Sequence, residues 1–184
     1  MKHILLAAVL VFGFSSAAMD KFMVDSAHSS VMFKVNHMGF SNVYGSFGDV
    51  KGDFSVDDKE AKINITIAVA SIDTKNAKRD EHLRKPDFFD AKQFPDIKFV
   101  SDSAKKSGDK FDVKGKMTMH GVTRPLEFKL TKFRTGEDPM KNIKTGGEAN
   151  FTIKRSDFGM KNMAGPNMIG DDIEIWVSLE GQKQ

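Results

Sequence analysis

The chain of 184 residues contains no cysteine. That absence excludes a disulfide framework, a thiolate zinc or iron–sulfur centre, a catalytic thiol and the lipidated cysteine of a lipoprotein anchor. One Tyr and one Trp stand beside 16 Phe, so ring bulk is plentiful while aromatic polar handles are scarce. A strong charge bias is also missing. Lys+Arg number 28 and Asp+Glu 25, interspersed along the chain, which excludes the basic face of a nucleic-acid binder. No apolar run reaches the roughly 20 residues of a membrane-spanning helix, and no glycine-rich phosphate loop occurs.

What is present begins with an address. Lys2, an apolar stretch from Ile4 to Phe14 and the small residues Ser15-Ser16-Ala17-Ala18 read as a signal peptide over residues 1–18. Cleavage after Ala18 leaves one mature domain, 19–184, with the periplasm as its predicted location and no stable membrane anchor.

Beyond it the dominant pattern has period 2. Val31, Phe33 and Val35 alternate with Met32, Lys34 and Asn36, as in a half-buried strand. The alternation recurs over Phe47 and Val50–Val56, Ile63–Val69, Ile97–Phe99, Phe111–Met119, Leu126–Leu130, Ala149–Ile153 and Ile173–Leu179, which predicts eight strands. A parity slip at Gly48 predicts a β-bulge. Turns are expected at Asp57-Asp58-Lys59, Ser107-Gly108-Asp109, Gly121–Pro125 and Gly146-Gly147, and long loops over Thr135–Thr145 and Met160–Asp172. Asn76–Lys85 breaks the rhythm. It has an Asn N-cap, early acids, late bases and Pro86 as a stop, and so predicts a short helix between strands three and four. Short antiparallel strands with one apolar face pair as two sheets or close into a barrel; eight is the count at which a barrel is filled or holds one small ligand.

Side chains able to carry chemistry are few. Of His28, His37, His82 and His120, no two sit at metal-ligand spacing of i, i+2 or i+4. His37 shares the inward parity of Phe33 and Val35, making it the best candidate for a polar contact to a ligand. Met160, Met163 and Met168 could suit a soft ion but equally suit a flexible apolar loop. Ser103-Ala104-Lys105-Lys106 matches a serine-hydrolase tetrad without its companion motifs, in a predicted polar turn. Arg155 continues the inward parity of Ala149, Phe151 and Ile153; it is expected to pair with Asp157 or to meet a polar head group.

Asp25-Ser26-Ala27-His28-Ser29-Ser30-Val31-Met32-Phe33 and His37-Met38-Gly39-Phe40-Ser41-Asn42-Val43-Tyr44-Gly45-Ser46-Phe47 resemble the opening of the YceI-like family. Ser71-Ile72-Asp73-Thr74, Arg79-Asp80-Glu81-His82-Leu83, Asp87-Phe88-Phe89-Asp90, Phe94-Pro95-Asp96-Ile97-Lys98-Phe99, the run Gly115–Leu126 and Lys154-Arg155-Ser156-Asp157-Phe158-Gly159 follow in order. The resemblance implies an all-β, lipocalin-like eight-stranded antiparallel barrel enclosing a long amphiphile: a polyisoprenoid, a polyprenyl quinone precursor or a fatty amide. It implies no catalytic motif and no cofactor beyond that lipid. Parity and resemblance together nominate Phe33, Val35, His37, Phe47, Ile65, Ile67, Phe88, Phe99, Met117, Met119, Phe128, Ala149, Phe151, Ile153, Arg155 and Phe158 as ligand contacts, with no metal ligand among them. The expected function is therefore an exported lipid-binding carrier and not an enzyme; its partner is an isoprenoid or fatty-acyl amphiphile, with a homodimer among the options for assembly. The rivals are an enzyme using the histidines on a lipid-like substrate and a Met-rich metal binder.

Overall fold

The computed structural model describes residues 19–184, so the segment 1–18 read as a signal peptide lies outside the described residues. The strands are β1 (Asp20–Val24), β2 (Ser30–His37), β3 (Ser41–Phe47), β4 (Val50–Val56), β5 (Ala61–Ala68), β6 (Ile72–Asp73), β7 (Asp96–Ser107), β8 (Lys110–Met119), β9 (Val122–Glu137), β10 (Ile143–Lys154) and β11 (Ile169–Lys183). Among the described residues one α-helix, α1 (Ala77–Leu83), lies between β6 and β7. All ladders are antiparallel, in the order β1-β4-β5-β7-β8-β9-β10-β11-β2-β3-β6. The sheet closes on itself because β1 pairs on both sides: Phe22 faces Phe54 of β4 and Lys183 of β11.

β1 and β2 act as one stave interrupted by the 3-10 turn Ser26–His28, and both lie along β11. β3 and β4 form another, interrupted at Gly48–Asp49, where the parity slip falls. Eight staves thus make the barrel, and closure removes the exposed edges that an open sheet would present. The division into segments departs from the sequence reading. β1, β3 and β6 are additional, because a five-residue strand, a largely polar strand interrupted by Gly45 and a two-residue strand carry too little alternation to register.

Two expected loops and two expected turns are corrected; the loop expected over Met160–Asp172 ends at Met168, because Ile169 opens β11. Thr135–Glu137 and Ile143–Thr145 are strand, leaving a turn held by Asp138, whose carboxylate accepts from the Met140 and Asn142 N–H groups. Thr123–Pro125 belongs to β9, and the chain reverses at His120-Gly121, both with positive φ. Gly146-Gly147 lies within β10, where the register shifts between Gly146 and Glu148. The Ser103–Lys106 tetrad is also strand, inside β7; residues three apart on a strand face opposite sides, so its serine and lysine diverge. The helix does start at the Asn76 cap, whose side chain accepts the Arg79 N–H at 3.0 Å.

Because the staves run up and down, the turns at 57–60, 108–109 and 138–142 share one end of the barrel. The β2–β3 hairpin, α1 with its flanking loops, His120-Gly121 and residues 155–168 share the other. The first end is filled with side chains. Phe22 stacks on Phe54 with centroids 5.8 Å apart, Phe111 meets Phe133 edge-on at 4.9 Å, and Val113 and Ala104 close the gaps.

Candidate functional site: an apolar cavity in the barrel

Above this plug the inward rows no longer meet. Val35 on β2, Ile67 on β5, Met117 on β8 and Ile173 on β11 are too short to span the barrel, and they surround a cavity of about 360 Å³. That size lies in the range of small-molecule sites. Phe33, Phe99, Phe128 and Phe151 supply flat apolar walls, with Phe99 packed on Phe128 at 5.2 Å and Phe128 stacked on Phe151 at 5.1 Å.

The upper end is roofed by α1 and the loop after it. β6 sets their position by pairing Ile72 with Phe47 on β3. Asp80, buried although it lies in the first turn of the helix, accepts from the Thr74 N–H at 2.8 Å and from the Thr74 hydroxyl. Arg79 donates to the Thr74 hydroxyl and carbonyl, each at 2.7 Å. Leu83, Phe88 and Phe89 then point down into the cavity, with Phe89 edge-on to Phe47 at 5.8 Å. The second half of the roof is the loop after residues 155–158. Asp87 joins the halves, meeting His82 Nε2 at 2.6 Å and accepting from Asn162 Nδ2 at 3.2 Å.

Arg155 holds that loop in place. It is 5% exposed, and it does not pair with Asp157. Its Nε donates to the Gly170 carbonyl at 3.0 Å, Nη1 to Met160 and Asn162 at 2.8 Å each, and Nη2 to Ile169 at 3.1 Å and Met163 at 3.4 Å. A guanidinium has five N–H donors. All five end on backbone carbonyls, so both expected roles, ion pair and head-group contact, are replaced by that of a loop staple. Burial draws the Arg155 pKa down, and the charge of Asp171 opposes it. Burial raises the Asp171 pKa, but hydrogen bonds from the Ser156 hydroxyl at 2.7 Å and N–H at 2.9 Å outweigh that effect, leaving it below the usual carboxylate range.

The YceI-like domain family matches residues 22–181. The chain belongs to the YceI-like family. Protein YceI of Escherichia coli O157:H7 is 37% identical over 182 residues, covering 96% of this chain and 94% of that protein. A UPF0312 protein of Pseudomonas putida is 40% identical over 181 residues, covering 96% and 93%. Among solved structures, the YCEI protein of Campylobacter jejuni superposes with a TM-score of 0.73 at 32% identity, over 87% of this chain and 96% of that one. A polyisoprenoid binding domain from Saccharophagus degradans, implicated in plant cell wall breakdown, shares the fold: TM-score 0.66 at 14% identity, over 90% and 99%.

In this YceI-like barrel every residue nominated from the sequence lines the cavity except Phe158. Phe158 follows the end of β10, is buried in the wall, and presents its carbonyl to His120 Nδ1 at 3.1 Å. Parity ceased to apply there because Arg155–Phe158 is a 3-10 turn. Arg79, His82 and Leu83 were missed as lining residues; they lie on a helix whose position depends on the β3–β6 pairing. Val43, Phe89, Met160, Met163 and Ile169 were missed for the same kind of reason.

The histidines are dispersed among different neighbours. His28 pairs with Asp25 on the outer wall, His82 with Asp87 on the roof and His120 with a carbonyl, while His37 faces the cavity. Asp25, His28 and Glu180 bring their ligating atoms within 4.8 Å of one another. Lys144 Nζ already occupies that neighbourhood, 2.6 Å from Glu180 and 3.4 Å from Asp25. Met160 and Met163 line the cavity, whereas Met168 lies in a separate surface pocket beside Asn36 and Gly39.

Proposed function

We propose that this chain is an exported binding protein that encloses one long-chain amphiphile, with the apolar chain in the barrel and the polar group beneath the roof near His37, Arg79 and His82. The observation that carries the reading is the apolar cavity itself, enclosed by the walls of eight strands. Burying about 10 methylenes at ~0.8 kcal/mol each contributes ~8 kcal/mol before ordering costs. An exposed ion pair at the roof would add only ~0–1 kcal/mol. Recognition is therefore of a chain class: a polyisoprenoid, a polyprenyl quinone precursor or a fatty amide. The polyisoprenoid binding of the Saccharophagus domain, named for that ligand, supports the isoprenoid option. Binding rather than catalysis fits the polar inventory, since Arg155 has no free donor and Arg79 is committed in part to Thr74. Native mass spectrometry of protein purified from its own cells should show one amphiphile per barrel. A barrel that is empty, and stays empty when offered polyprenyl and fatty-acyl lipids, would refute the reading. Export to the periplasm follows from the 1–18 segment; the periplasmic protein should begin at Met19, and a full-length cytoplasmic product would oppose it.

A further inference from the structure

The wall of the barrel is not hydrogen-bonded along its whole length. β9 and β10 pair from Glu137 opposite Ile143 up to Leu130 opposite Ala149, and the ladder stops there. Both strands continue upward: β9 back to Val122, paired with β8 on its other side, and β10 on to Lys154, paired with β11. Lys129 to Val122 on one strand and Asn150 to Lys154 on the other therefore face each other with no ladder pair between them.

This seam lies beside the cavity. Carried on in register, the ladder would set Phe128 opposite Phe151 and Leu126 opposite Ile153. Phe128 and Phe151 instead close the seam from inside by stacking, with centroids 5.1 Å apart. Leu126 and Ile153 face the cavity and also line a pocket of about 290 Å³ on the outer surface, rimmed by Arg124, Thr152 and Lys154. Those two apolar side chains are common walls of the inner and outer spaces. The seam is bounded below by the Leu130–Ala149 pair and above by Arg124, whose Nε donates to the Asp157 carbonyl at 2.9 Å.

We infer that this seam is a lateral portal through which a long-chain amphiphile passes between solvent and the barrel, an inference that rests on the proposed lipid-binding function. Parting the seam separates apolar side chains but breaks no ladder hydrogen bond. Lifting the roof breaks the Asp87–Asn162 contact, and the half of it that follows residues 155–158 is held further by the five donors of Arg155. The chain slides between Phe128 and Phe151 while its polar end is held hydrated at the Arg124 and Lys154 rim, and that end passes last to its place beneath the roof. The ladder below Leu130 keeps the barrel intact as the upper seam opens.

The chain has no cysteine, so bridges can be placed singly. Glu127→Cys with Thr152→Cys puts two exposed thiols across the seam, to be joined after folding by a short bis-methanethiosulfonate reagent that dithiothreitol releases. Lys114→Cys with Glu127→Cys joins true partners on β8 and β9 as the control, and Asp87→Cys with Asn162→Cys bridges the roof. Lipid-stripped protein is mixed in stopped flow with cis-parinaric acid and with all-trans-retinol. The seam bridge should slow uptake and release at least about tenfold, leave equilibrium affinity within about twofold, and recover on reduction. The other two bridges should leave the rates unchanged. Wild-type rates in the seam-bridged protein, or slowing by the roof bridge alone, would overturn the portal while leaving the lipid-binding function intact. Failure of the unmodified barrel to take up either probe would overturn the function itself, and the portal with it.

Discussion

Replacing Arg155 with Met removes the staple of the roof loop while keeping an unbranched side chain in the site. Five carbonyls lose a donor, but not at equal cost. Asn162, Met163, Ile169 and Gly170 are half-buried, and water can replace the guanidinium at their carbonyls. Met160 is buried, and its 2.8 Å bond cannot be replaced in the same way. A buried acceptor left without a partner costs ~1–3 kcal/mol, and charge-assisted bonds contribute ~1.5–3 kcal/mol each. Release of the guanidinium from its desolvated position offsets part of this. The net expectation is a loss of ~2–4 kcal/mol, a substantial fraction of a domain stability of ~5–15 kcal/mol. Arg155→Lys should recover only a minority of it, because three donors on one nitrogen cannot span five carbonyls arranged for a planar fork. Asp157→Ala should change stability by no more than ~0.5 kcal/mol, since Arg155 does not pair with it. Urea unfolding measures the totals, and amide exchange across 160–170 locates them, with protection expected to fall there first. If Arg155→Met costs under ~1 kcal/mol and leaves that loop protected, the staple is refuted.

Three further outcomes follow from the same geometry. Ala149 is 5% exposed and lines the cavity between Leu130 and Val177; Ala149→Trp should fold with near-wild-type thermal stability yet bind lipid poorly, while Asn64→Trp on the outer face binds normally, and an overpacking loss of ~1–3 kcal/mol would show instead a filled core. Gly115 lets the Phe99 ring lie against β8, and a Cβ there would meet the Val100 carbonyl oxygen and come within 2.6 Å of the ring; Gly115→Ala should cost ~1–3 kcal/mol in urea unfolding and displace Phe99 into the cavity, and a neutral result with unaltered lipid affinity would oppose this. The Asp171 pKa is lowered in the native state, so its stabilisation is present above the unfolded value of ~3.9 and is lost as pH falls through the native one; Asp171→Asn should flatten the acid limb of the stability curve, whereas a curve parallel to wild type would show that Ser156 does not favour the ionised form.

Alternation was legible because the pleat is local: successive side chains on a strand point to opposite faces whatever the rest of the chain does. That is why Phe33 and Val35, Ile65 and Ile67, Met117 and Met119, and Ala149, Phe151 and Ile153 could be assigned to one face before any pairing was known. The Asn76 cap was equally local, set by an Asn followed by helix-forming residues. The order of the family motifs added closure into eight staves, which alternation alone left open.

Tertiary structure decided what those inward rows do when they meet. Phe22 and Phe54 fill one end because β1, five residues long, pairs with both β4 and β11. Ile67, Met117 and Ile173 share the same parity yet leave a hollow at the other end. Arg79 and His82 reach the cavity only because two residues of β6 find β3, and Arg155 becomes a staple because the loop turns its carbonyls inward. The β9–β10 seam has no local signature, since Leu126, Phe128, Phe151 and Ile153 alternate as cleanly as any paired strand. Periodicity depends on one strand's own backbone; pairing, filling and gaps depend on the separation of residues far apart in the chain.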